Sequence, residues 1–404
     1  MRILLLNKFF WPDSAATSQF LTDLARGLAQ RGHQVYSISA EGGSYALADL
    51  SDPPPVHIHR VRGTRFAHGS LGRVLSYGSF FLSCLARGLT VARPDLVITL
   101  TTPPLLSLIG NALKLLRGAR HFIWEMDVYP DVAVDLEYFK AGGLLDRCTG
   151  ILADFSRRYA DGILALGPCM QERLVARGIP RDKIYVAENW ADGSVIQPVP
   201  PAPSTSPLTL LYSGNLGLAH DTDTILAAMQ ELKGEDGFRF IFAGGGPLRK
   251  QLETSCAAAD IGSTEFGPYS QKTNLSESLG AGHIGLVTQR AACVGSVVPS
   301  KVYGLLAAER PILYIGPANS TAAQLIRKHD CGWQIDCQDS KSLVDLLRSL
   351  AQKSVEVERA GRRAHEAFLE FYDLPLGVGR ICRLVGAAGG GERSNQLALF
   401  PSES

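Results

Sequence analysis

A chain of 404 residues with 46% hydrophobic and 20% charged residues is too long for one ordinary core and too apolar for a disordered polymer. Its net charge of +1 argues against nucleic acid as a partner, and its eight scattered cysteines form no C-x-x-C pair, so reduced cytosolic thiols are expected. The apolar run after Met1 is too short for a signal peptide, and the stretches 77–91 and 100–116 are broken by Arg87 and by Pro103, Pro104, Asn111 and Lys114, so no spanning helix is expected.

Residues 2–7 form a continuous apolar run, the pattern of a strand buried on both faces of a parallel sheet. A loop carrying Trp11 and Asp13 follows, then a helix to about Gly32 that Thr17 or Ser18 can cap, then a strand at 35–39. This β-α-β unit lacks the G-x-G-x-x-G dinucleotide fingerprint. Ala15 and Ala16 are small enough to let a ligand approach the helix start, or to serve helix–sheet packing. The alternating segment 56–62 reads as a strand with His57 and His59 on one face; a pair of histidines alone is short of a metal set, so a structural role is expected. From 65 to 93 runs a basic and aromatic segment (Arg65, Phe66, His68, Arg73, Tyr77, Arg87), which reads either as an amphipathic helix with a solvated basic face or as a contact with anionic lipid.

Strands follow at 96–100 and 121–126. Glu125 and Asp127 lie at the carboxyl end of the second, where open parallel sheets bind ligands, so both are candidates for acid–base or electrostatic work; Asp131 is expected to cap the next helix. Further β-α units continue to about residue 187. The Pro/Ser-rich run 198–207 reads as a stiff linker, and a second β-α series begins at 208.

In that second series three glycine-rich loops stand at strand ends. The first contains Gly214, Asn215, Gly217 and His220, the second Gly244, Gly245 and Gly246, and the third leads through Pro268 to Tyr269. Together they are expected to line one edge of a cleft with backbone N–H groups. After Gln289 and Arg290 comes a loop ending in Pro299 and Ser300, then a short helix from Lys301 through Tyr303. Ser300 is a good N-cap, and a cation such as Lys301 in a first turn is disfavoured by the helix dipole unless an anion sits beside it. A phosphate gripped by Lys301 and the first-turn N–H groups satisfies both, whereas the bland alternative is a capped core helix with Lys301 in solvent.

Phe10-Trp11-Pro12-Asp13 with Ala15-Ala16-Thr17, the run 124–131, Glu188-Asn189-Trp190-Ala191-Asp192, the two glycine loops and Pro299-Ser300-Lys301 with Tyr303 together resemble the retaining glycosyltransferases of family four, in the branch that builds bacterial exopolysaccharide, capsule or O-antigen units. The resemblance covers residues 1–385. It implies an α/β chain of GT-B fold, two doubly wound Rossmann-like domains facing an interdomain cleft. The implied layout is an acceptor-side domain (1–190), a linker (191–207), a donor domain (208–370), a helix crossing back (371–385) and a disordered tail (386–404). It further implies a nucleotide-sugar donor such as a UDP- or GDP-sugar, no cofactor and no metal, a lipid-linked or oligosaccharide acceptor, and cytoplasmic work at the membrane face. By the same token Asp127, Glu125 and Lys301 would be catalytic. Gly214, Asn215, Gly217, His220, Gly244, Gly245, Gly246, Tyr269, Arg290, Ser300 and Tyr303 would bind donor, and Trp11, Asp13, Ala16 and Thr17 would face acceptor.

Some positions depart from the family pattern. Its Glu-x7-Glu pair is replaced by Ser296 and Gly304, its loop Arg and Lys by Asn215 and His220, and Glu309 stands where a glycine normally ends the helix. Two other functions share the fold: a sugar-nucleotide epimerase, and a catalytically inactive sugar-nucleotide-binding subunit.

Overall fold

The computed structural model describes residues 1–41, 52–62, 70–200, 207–270 and 274–386, with the side chains of 70–75 left aside. In the first domain the order is β1 (Arg2–Leu6), α1 (Ala16–Gln30), β2 (Gln34–Ala40), β3 (His57–Val61), α2 (Ser70–Thr90), β4 (Leu96–Leu100), α3 (Ser107–Arg117), β5 (Arg120–Glu125), α4 (Asp131–Asp135), α5 (Leu144–Tyr159), β6 (Gly162–Ala165), α6 (Pro168–Ala176) and β7 (Ile184–Val186). The second runs β8 (Leu208–Ser213), α7 (Asp223–Glu231), β9 (Phe238–Ala243), α8 (Pro247–Ala258), β10 (Thr264–Gly267), α9 (Leu275–Gly280), β11 (Ile284–Thr288), α10 (Lys301–Ala307), β12 (Ile312–Ile315), α11 (Thr321–His329), β13 (Gly332–Ile335), α12 (Ser340–Ala351) and α13 (Ser354–Ala367), and α14 (Leu374–Leu384) closes the chain.

Every strand pairing is parallel. The first sheet has seven strands in the order β3-β2-β1-β4-β5-β6-β7, and the second has six in the order β10-β9-β8-β11-β12-β13. Each order reverses beside its first strand, so the loops after β1 and β8 open at a switch point, where doubly wound sheets bind ligands. The central strands β1 and β4 are buried along nearly their whole length, which is why they read as unbroken apolar runs.

Two segments tie the domains together. α14 returns to the first: Val378, Ile381 and Cys382 join its core, and Gly377 and Gly27 lack the Cβ that would collide with Trp190 and Val378. The start of the expected linker is docked on the second domain, with Ala191 and Ile196 buried there, Gln197 N–H donating to Ser276, and Arg310 donating to the Val199 carbonyl at 2.6 Å. The remainder of that linker, 201–206, lies outside the described residues, as does the tail from 387 onward.

Local readings turn out unevenly. His57 and His59 stack on Tyr36, a packing role. α1 starts at Ala16 with Ala15 as N-cap, so neither Thr17 nor Ser18 caps it. Asp131 does not cap α4 either, because Arg173 and Arg177 hold its two oxygens at 2.7 and 2.5 Å. Of the proposed lipid-contact segment, Arg65, Phe66 and His68 lie outside the described residues, and the side chain of Arg73 likewise. Within α2, Phe80 and Cys84 face the core. All eight cysteines are free, and among the described residues no helix is long and apolar enough to cross a membrane.

Candidate active site

Strand β8 is followed by Gly214, whose φ of 131° is open to glycine and strained for other residues. A Cβ here would meet the Lys301 side chain at 2.5 Å, so the bare backbone lets that lysine cross the loop. Its Nζ donates to the Asn215 carbonyl at 3.1 Å and to His220 Nε2 at 3.2 Å, and stands 4.8 Å from the centre of the Tyr212 ring. An ammonium has three N–H donors, and this one uses two on these protein acceptors. Burial lowers its pKa to about 8.

His220 has Nδ1 2.8 Å from the Thr288 carbonyl, and its Nε2 lies 3.1 Å from the Asn215 carbonyl and 3.2 Å from Lys301, so a proton on Nδ1 leaves Nε2 to accept from the ammonium. Burial first, and then the Lys301 charge, push its pKa down to about 4, so it is neutral at pH 7 and adds no positive charge to the site.

The two glycine loops lie against each other. A Cβ on Gly244 (φ 130°) would fall 2.1 Å from the Gly214 carbonyl oxygen, and one on Gly246 (φ 113°) 2.5 Å from that of Leu216. Leu216 N–H donates to the Gly245 carbonyl at 2.7 Å, and Gly244 N–H to that of Gly267 at 3.0 Å. Part of the expected cradle of N–H groups is therefore spent inside the protein, and Gly244 and Gly246 serve close packing. Tyr269 is exposed above Gly245, with its hydroxyl 3.5 Å from Asn215 Oδ1. Gly217 sits under the Asn215 amide.

Ser300 precedes α10 with helical backbone angles, and its hydroxyl caps nothing. Tyr303 is a core residue and does not line the cleft: it is 1% exposed, with its ring 5.3 Å from that of Tyr372. Arg290 spans the domains, its guanidinium 3.3 Å from Glu137 at an exposed edge. Glu309 takes the left-handed conformation (φ 58°) in the place of a helix-ending glycine.

Asp127 meets the second domain directly. It forms an antiparallel bridge with Val297, and the neighbouring Val128 N–H donates to the Ser296 carbonyl at 2.8 Å. The Gln289 amide holds the 293–297 loop in place by donating to the carbonyls of Cys293 and Val297. Ser296, at a position where the family has a glutamate, is thus a buried interdomain contact. Burial and then the charge of Glu125 raise the Asp127 pKa to about 6. Glu125 is committed elsewhere: its Oε1 lies 2.6 Å from Arg157 Nε, both side chains are buried, and its Oε2 has no partner. Glu125 borders a shallow crevice also lined by Thr101, Leu105, Ser107, Tyr129 and Arg157. Glu125 is therefore a neighbour that sets the charge on Asp127.

On the acceptor side, Trp11 packs half-buried on the core, Ala16 is exposed at the α1 start, and Thr17 accepts from Asn7 at 3.4 Å. Asp13 is buried with Oδ1 unpartnered; burial raises its pKa, against the N–H groups of Ala15 and Ser14 and the nearby Arg60. The sequence reading missed two cations. Lys8, buried at the end of β1, donates to Ser76 at 3.3 Å, and burial lowers its pKa to about 8. Arg173 reaches from Asp131 and Asp135 to the Val294 carbonyl across the domain boundary. A lysine two residues after a buried apolar strand signals the first; nothing local signals the second. Among the described residues no set of three or more His, Cys, Asp or Glu side chains is placed to hold a metal ion.

Comparison with known proteins agrees with this fold. Residues 16–190 match the glycosyl transferase 4-like domain and residues 197–367 the glycosyl transferases group 1 domain. A Pseudomonas aeruginosa protein named as a probable glycosyltransferase, WbjE, is 28% identical over 71% of this chain and 75% of its own length. An Escherichia coli K12 protein named provisionally as a colanic acid biosynthesis glycosyl transferase, WcaI, is 23% identical over 76% of this chain and 81% of its own. The Anabaena HepE structure in complex with UDP-glucose superposes with a TM-score of 0.70 at 12% identity, covering 96% of this chain and all of that one, which shows a shared fold. Two matched domains spanning most of the chain, each on its own parallel sheet, make it a member of the GT-B glycosyltransferases of the 4-like and group 1 type.

Proposed function

We propose that the chain transfers a sugar from a UDP- or GDP-type donor to a lipid-linked or oligosaccharide acceptor, with retention of configuration and without a bound metal or other cofactor. Its place is cell-surface polysaccharide biosynthesis at the cytoplasmic face of the membrane. The observation that carries this reading is the Lys301 ammonium, drawn across Gly214 onto the β8 loop beside a neutral histidine. A single cation with a free donor there suits a departing diphosphate, whose developing charge it would neutralise in place of a metal. HepE, complexed with UDP-glucose, and WcaI, named for colanic acid, support the donor class and the pathway.

In the proposed step the acceptor hydroxyl attacks the anomeric carbon from the face the diphosphate leaves, the bond from that carbon to the diphosphate oxygen breaks, and a departing oxygen takes the hydroxyl proton. Asp127, on the opposite domain, orients the hydroxyl and stabilises positive charge on the ring. A panel of nucleotide sugars screened for thermal stabilisation identifies the donor, since a ligand bound to the native state raises stability by mass action. NMR of the product with that donor then reads the anomer. The expected product keeps the donor configuration; an inverted product, or conversion of the donor without any acceptor, overturns the reading.

A further inference from the structure

Helix α5 is built inside out. The residues it buries are Gly150, Ala153, Ser156 and Arg157, small or polar, whereas its large apolar side chains face outward. Leu144, Leu145, Ile151 and Phe155 are each more than half exposed, and Phe155 stacks on the exposed Tyr159 ring at 6.2 Å. Leu144, Ile151, Phe155 and Tyr159 stand seven, four and four residues apart and share one face of the helix as a stripe, with Leu145 at its edge. A surface helix ordinarily turns such a stripe to the core. The neighbouring α3, joined to α5 through Ser107 and Asn111 to Ser156, adds the exposed Leu115 and Leu116. A patch of this kind on the outside of a domain marks an interaction surface.

The charges say what it meets. Arg147 and Arg158 border the stripe on the helix surface, and Lys140 is exposed just before it. Both acids of α5 are turned to the protein: Asp146 accepts from Gly142 N–H, and Asp154 holds Arg177 and Arg157. An apolar stripe with a cationic border and its acids withdrawn complements an anionic bilayer, into whose headgroup region an in-plane helix can sink. We propose that α5, extended by the end of α3, is a monotopic membrane-docking surface for anionic lipid. It does not depend on the transferase reading, and it places the contact on a different element from the 65–93 segment.

Flotation of the full chain with phosphatidylglycerol-containing vesicles and with pure phosphatidylcholine vesicles tests it. The expected result is binding to the anionic vesicles that falls roughly tenfold or more in Ile151→Ser/Phe155→Ser, and also falls in Lys140→Glu/Arg147→Glu. Circular dichroism confirms that each variant is folded, and light scattering reports its oligomeric state. Binding unchanged in the folded Ile151→Ser/Phe155→Ser variant overturns the proposal. So does a dimer that this variant splits in a protein that binds no vesicles, since the stripe would then be covered by a second copy.

Discussion

The pH dependence of turnover gives the site its sharpest quantitative expression. Asp127 has its pKa raised to about 6 and Lys301 has its lowered to about 8, so an enzyme that needs the carboxylate and the ammonium works best between them. At pH 5 only about a tenth of Asp127 would be ionised, so kcat/KM should lie about tenfold below its plateau. An ordinary aspartate would be almost fully ionised there and give no acid limb. A nucleotide diphosphate sugar has no group of its own that titrates between pH 5 and 7. The assay is kcat/KM from pH 4.5 to 9 at constant ionic strength. Asp127→Asn should flatten the acid limb at a low rate, and Glu125→Gln should shift it to lower pH by removing the nearby charge. Lys301→Arg should remove the alkaline limb. An acid limb that survives in Asp127→Asn, or a flat wild-type profile down to pH 5, would refute this division of roles. The same shift bears on stability. The native pKa lies above the unfolded value, so the native state binds the proton more tightly and is favoured at low pH. That advantage is lost as pH rises from about 4 through 6, which makes Asp127→Asn more stable than wild type at pH 8 by about 3 kcal/mol and no more stable at pH 3.5.

Other positions give independent checks. Gly244→Ala should abolish donor-induced thermal stabilisation and destabilise the second domain by about 2 kcal/mol or more, because the new methyl meets the Gly214 carbonyl and the backbone is left-handed. Arg157→Met should cost about 3–5 kcal/mol in chemical denaturation by leaving Glu125 buried and unpaired, and adding Glu125→Gln should recover much of it. Glu309→Gly should raise the midpoint of thermal unfolding by a few degrees, since it relieves about 1 kcal/mol of left-handed strain.

The fold was legible in the sequence because parallel strands buried on both faces leave unbroken apolar runs, as in β1 and β4, and because turns and helices alternate with them regularly. Lys301 stood out in the sequence because a cation in the first turn of a helix needs an explanation, and the structure lays it over the bare backbone of Gly214. What the sequence could not show was set by partners distant along the chain. Tyr303 belongs to the core because Tyr372 returns beside it, and Glu125 is occupied because Arg157, on α5, reaches under the sheet end. His220 stands where the family has a cation, and only the Thr288 carbonyl, far along the chain, shows where its proton sits. Asp131 read as a cap because it opens a helix, yet two arginines of α6 and its C-terminal end take its oxygens. The outward face of α5 was hidden by its composition, since a stripe of leucines and aromatics reads the same whichever way the helix is turned.

The most direct test is the transfer rate of Lys301→Ala with saturating donor, measured beside the affinity of the variant for the donor diphosphate. If this ammonium carries the leaving group, kcat falls by about 10²-fold or more and the diphosphate binds more weakly, while the fold is retained. A variant that transfers sugar at close to the wild-type rate would show that the charge on the departing diphosphate is met elsewhere.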